Sequence, residues 1–145
     1  MNKLKLITIL ALVFTLNKCY SQEKVQTAGD YAIDVTLNTC LDSNQTTVGM
    51  MECAGQARDA WDKELNKYYK LLMSKLTDIE KAKLKTAQKK WLEYRDTEFD
   101  ASGTIYYDQD GTMWKIVAVN RQVEIVRQRA LDLKSYYDNI TFEKN

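Results

Sequence analysis

The 145-residue sequence contains no histidine and no proline, and it has only five glycines and three cysteines. The absence of histidine removes the commonest general base and the commonest metal ligand together. The absence of proline, with so little glycine, lets long helices run without a break. The cysteines are too few and too far apart for a CxxC redox or zinc pattern. No serine sits in a GxSxG setting. Charge of one sign is also lacking, since 21 basic residues face 20 acidic ones.

What is present begins with a leader. Lys3 and Lys5 precede an apolar run from Leu6 to Leu16, and "CYS" sets Cys19 and Ser21 at the minus-three and minus-one positions of a cleavage site. The run of eleven residues is well short of the ~20 needed to span a bilayer. Residues 1–21 are therefore expected to be a signal peptide cleaved near Ser21, which makes the protein periplasmic or secreted. Lipidation of Cys19 is the alternative, but Lys18 occupies the position where such a signal wants a small residue. Cleavage removes Lys3, Lys5 and Lys18 and no acid, leaving 18 basic and 20 acidic residues, a net of −2. That balance argues against general nucleic-acid binding, which depends on neutralising phosphates. Cys40 and Cys53 then remain alone in an oxidising compartment and are expected to pair.

Residues 22–29 read as a polar, disordered lead, and 30–140 as a single helical domain. A short first helix runs from Asp30 to near Leu41, with Tyr31, Val35 and Leu41 inward. "DSNQTT" is a loop, and Thr46 or Thr47 caps a second helix reaching about Leu76. Met50, Cys53, Ala57, Trp61, Leu65, Tyr68, Leu72 and Leu76 form its apolar stripe. Thr77 and Glu80 in "TDIE" make a capping box for a third helix to about Phe99, which turns Leu84, Ala87, Trp91 and Tyr94 inward. "DASGTIYYDQDG" reads as a loop. The last helix, about Thr112 to Tyr137, carries Ile116, Val119, Val123, Val126, Ala130, Leu133 and Tyr137 on one face. The expected fold is all-α, a small antiparallel bundle of four helices with one disulfide.

Two polar rows flank the buried stripes. Asp62, Asn66 and Tyr69 lie one row beside the stripe of the second helix, and Gln88, Trp91 and Arg95 share a face of the third. If these helices close as an antiparallel hairpin, Asp62 faces Arg95, Asn66 faces Trp91 and Tyr69 faces Gln88. The rows are then structural, an ion pair with amide contacts that sets helix register. Glu93, Asp96 and Glu98 suit a solvated helix face better than a catalytic carboxylate pair. Lys81, Lys83, Lys85, Lys89 and Lys90 likewise read as solvent face. Aligned as a calcium loop on Gly111, the first and twelfth ligand positions fall on Tyr106 and Val117, which excludes that motif. No catalytic residue, cofactor or metal site is expected.

"C…TTVGMMECAGQARDAWDKELNKYYKLLMSKL", "LKTAQKKWLEYRD", "DGT" and "RQRALDL" together resemble the LprI-type lysozyme-inhibitor N-terminal domain family of small exported bacterial helical domains. The resemblance covers about residues 31 to 137, and its most specific positions are Asp62, Leu65, Asn66, Tyr69, Gln88, Trp91, Tyr94, Arg95, Asp96 and Arg129. Phe99 and Asn120 stand where many relatives carry two further cysteines, so the segment between them is tethered less tightly here. The resemblance implies an envelope protein-binding module, with a lysozyme as its partner and steric blockade of the lysozyme cleft as its mode of action. The alternative is a helical interaction domain in envelope stress or assembly, with a different protein partner. On the lysozyme reading Tyr106, Tyr107, Asp108 and Asp110 are the candidate partner contacts, because they lie in the longest connection between helices; the alternative is that both tyrosines fold back to cap the bundle core.

Overall fold

A computed structural model describes residues 31–142; the expected leader and polar lead lie outside the described residues. Four helices follow in order, α1 (Ala32–Ser43), α2 (Thr47–Lys75), α3 (Asp78–Tyr107) and α4 (Met113–Phe142). Their starts are encoded locally. The Thr46 hydroxyl accepts from the Gly49 N–H at 3.0 Å. Thr77 and Glu80 form the reciprocal capping box, the Thr77 N–H donating to the Glu80 carboxylate at 2.8 Å. No helix among the described residues is long and apolar enough to cross a membrane.

α4 is the central element. α2 packs on one side of it and α3 on another, while α1 lies along α2. Trp61, Leu65 and Leu72 of α2 meet Val119, Val123, Val126, Ala130 and Leu133 of α4 in the core. These two helices run parallel. Their N-terminal ends are joined by the Thr47–Thr112 hydrogen bond at 3.1 Å, and Arg58 reaches Gln122 about three turns farther along. Farther along, the rings of Tyr68 and Tyr137 lie 6.1 Å apart. α3 returns antiparallel to both.

This arrangement corrects the expected hairpin, because α2 and α3 make little direct contact. The reason lies in α4, which buries Ala118 and Ile125 as well as its main stripe. With Arg121 and Arg129 those residues form a second inward row, directed at α3. A helix with two inward rows takes the middle of a bundle, and the helices on either side are held apart.

The boundaries of α3 also differ from expectation. The helix continues through Asp100–Tyr107, so the true connection is only residues 108–112. Gly111, at φ +96°, makes the turn that an L side chain adopts with strain. α3 is peripheral and fully buries only Ser102; Leu84, Gln88, Trp91, Arg95 and Phe99 are half-buried, while Ala87 and Tyr94, expected inward, are exposed. In α1 the inward side carries Ile33, Asp34, Leu37 and Leu41, and Val35 points out to solvent.

Candidate functional site

Cys40 and Cys53 form a disulfide that ties α1 to α2. Two turns away the same pair of helices is locked by a buried polar cluster. The Asp34 carboxylate accepts from Trp61 Nε1 at 3.2 Å and from Arg127 Nη2 at 2.8 Å, with Arg127 Nε at 3.1 Å. The Arg127 guanidinium lies 5.5 Å from the Tyr31 ring and 5.3 Å from the Trp61 ring. All of the acid's acceptor capacity faces donors held in place, which suits it to fastening α1 onto α2 and α4. The sequence reading missed both Asp34 and Arg127, although an acid one turn before Leu37 and in phase with Leu41 was a readable signal.

The two polar rows do not pair as expected. Arg95 turns to its neighbour Asp96, with Nε at 2.9 Å and Nη2 at 2.6 Å from one carboxylate oxygen. Asp62 accepts instead from Asn66, one turn along the same helix, at 2.9 Å. Asp62 and Arg95 still face one hollow of about 460 Å³, with Arg58, Lys63, Phe99 and Val126 around it. The wide spacing of α2 and α3 leaves each charge to find a partner on its own helix. Gln88 meets α4 rather than Tyr69, its carbonyl accepting from Arg129 Nε at 3.0 Å. Trp91 lies under Arg95 at 5.5 Å and Arg129 at 6.0 Å. Tyr69 packs against the core.

On the opposite side of α4, a groove of about 700 Å³ opens between α1 and α3. Leu37 and Asn38 form one wall, Trp91 and Tyr94 the other, and Arg121, Ile125 and Arg129 the floor. Glu98 of α3 pairs with Arg121 at 3.0 Å, which holds that guanidinium above its ordinary pKa.

The α3–α4 end has a different character. Tyr106 stacks on Trp114 with centroids 5.8 Å apart and planes 11° from parallel. Around that stack Ile105 (59%), Tyr107 (47%), Met113 (65%) and Trp114 (40%) are exposed. Val48 is also exposed, and it follows Thr47, which is bonded to Thr112. Asp108 caps α3, and Asp110 stands in the turn, both exposed. The candidate partner residues thus occupy the last turn of α3 and the short turn after it, instead of a long loop. Among the described residues no cluster of His, Cys, Asp or Glu could hold a metal ion.

A bundle of four helices around a central α4, tied by one disulfide, defines a small all-α domain. The family described as lysozyme inhibitor LprI matches residues 40–133, and the chain belongs to that family. An uncharacterized protein of Rhizobium meliloti (strain 1021), R02472, is 31% identical over 100 residues, covering 60% of this chain and 70% of the relative. The crystal structure of an uncharacterized protein from Burkholderia thailandensis superposes with a TM-score of 0.70 at 27% identity, over 74% of this chain. The chain spans about half (54%) of the length of that solved protein.

Proposed function

We propose that this protein is an exported, non-catalytic inhibitor that blocks the cleft of a lysozyme with its α3–α4 tip, residues 1–21 serving as its export signal. The observation that carries the reading is the exposed apolar and aromatic surface of Ile105, Tyr107, Met113 and Trp114. Exposed apolar side chains gathered at one end of a bundle favour an interaction site, and aromatic anchors supply most of the binding energy at such sites. The Tyr106–Trp114 stack fixes the tip before contact, so little side-chain entropy is lost on binding. Asp100, Asp108 and Asp110 surround it with negative charge, complementary to a basic c-type lysozyme.

Binding is tested by calorimetry against a c-type lysozyme, with wild type and Tyr107→Ser/Met113→Ser. Loss of two exposed anchors should weaken affinity by about tenfold or more while melting is unchanged. Replacing Asp108 and Asp110 by Asn should slow association and flatten its dependence on salt. Unchanged affinity in the first variant would remove the tip from the interface. Absence of binding at micromolar concentration would leave this surface to another protein partner.

A further inference from the structure

We propose that the groove between α1 and α3 is a second, independent site, which takes a carboxylate-bearing small ligand at Arg129 against Trp91. Three arginines line the groove, and two are matched to acids. Arg127 holds Asp34 and Arg121 holds Glu98. Arg129 is the exception: among the described residues no carboxylate lies within ion-pair distance of it. Its Nε donates to the neutral Gln88 amide, its plane lies over Trp91, and its Nη2 is buried with no acceptor. A buried charged donor without an acceptor in the protein is costly.

The other acids of the groove are accounted for. Glu124 extends into solvent beside Arg121, and Asp132 accepts from Gln128 at 2.8 Å along α4. Arg129 lines the groove, and its charge, which no acid among the described residues meets, would be paired by a carboxylate entering there. The groove's volume of about 700 Å³ is that of a small-molecule site. Leu37, Trp91, Tyr94 and Ile125 line it with apolar and aromatic surface. The ligand this fits is a carboxylate on a small apolar or aromatic body. Either a free organic acid or an acidic side chain of a short peptide has that chemistry.

The test uses the full mature chain, isotope-labelled, with four probes: benzoate, acetyl-Phe-Glu-amide, its neutral counterpart acetyl-Phe-Gln-amide, and inorganic phosphate. Amide and indole spectra follow Arg129 Nε–H and Trp91 Nε1–H during each titration. The carboxylate probes should saturate with shifts at both groups, and the glutamine peptide should bind about tenfold more weakly, one charged pairing being lost. Whichever of benzoate and the glutamate peptide binds tighter identifies the source. Arg129→Gln should lose the same factor with its melting preserved; if that variant fails to fold, the contrast between the two peptides decides. Equal binding of the glutamate and glutamine peptides, shifts confined to other helices, or no saturation at millimolar concentration would overturn the proposal. So would inorganic phosphate binding as tightly as the carboxylates.

Discussion

Asp34 and Arg127 show how a few side chains position a whole helix. Their side chains are 12% and 18% exposed, so each charge depends on the other. Arg127→Met should destabilise the protein by about 3 kcal/mol, because it leaves Asp34 buried and unpaired. Asp34→Leu combined with Arg127→Met should cost less than Arg127→Met alone, since no charge is then stranded; urea unfolding of the set measures both. Asp62 and Arg95 behave differently, each being satisfied on its own helix. A double-mutant cycle to alanine at these two positions should be additive within about 0.5 kcal/mol. Residue spacing identified both rows, but the pairing rested on assuming that helices joined by a short turn must pack together. The α1–α2–α4 cluster was missed because its members lie on three different helices, which no spacing within one helix brings together.

At the scale of elements, the stripes of α2 and α4 were legible because a 3.6-residue period survives any arrangement of neighbours. The end of α3 was not. Gly103 made "DASGTIYY" resemble a loop, yet glycine inside a helix costs only about 1 kcal/mol, which the extra turns offset. The helix runs on to Tyr107, and the glycine that the backbone requires is Gly111, at positive φ in the turn beyond it. A Cβ at Gly103 would meet only Tyr107 at 3.8 Å, and one at Gly55 would meet nothing within 4 Å. Gly55→Ala and Gly103→Ala should therefore each stabilise by up to about 1 kcal/mol, and Gly111→Ala should destabilise by a similar amount. Thermal melts distinguish the signs. Near the end of α4 the hydrogen bond from Lys134 to Asp138 raises the Lys134 pKa above 10.5, with burial opposing. Its contribution is fully present below the unfolded value and is lost as pH rises through the higher folded one. The stability difference between wild type and Lys134→Met should accordingly vanish in strongly alkaline solution.

At the scale of the whole molecule, an all-α bundle with one disulfide followed from composition and periodicity, while the central place of α4 did not. Its second inward row contains Arg121 and Arg129, which read as polar until α3 is seen against them. The Cys40–Cys53 bridge closes a loop with a sequence separation of 13. Its reduction should cost about 3 kcal/mol in the chain-entropy model, seen as a lower urea midpoint with the helices retained in water. The tip was legible as residues and not as shape: Tyr106 and Tyr107 were picked out, but their place on a helix end, with Trp114 stacked beneath one and the other exposed, depends on where α3 stops. The central claim is inhibition by occlusion, and it is tested most directly by the rate at which a c-type lysozyme clears a cell-wall suspension as the mature protein is titrated in. The account predicts a fall in rate that saturates near one inhibitor per enzyme and is weakened by Tyr107→Ser/Met113→Ser. An undiminished rate at micromolar excess of folded, disulfide-bonded protein would contradict it.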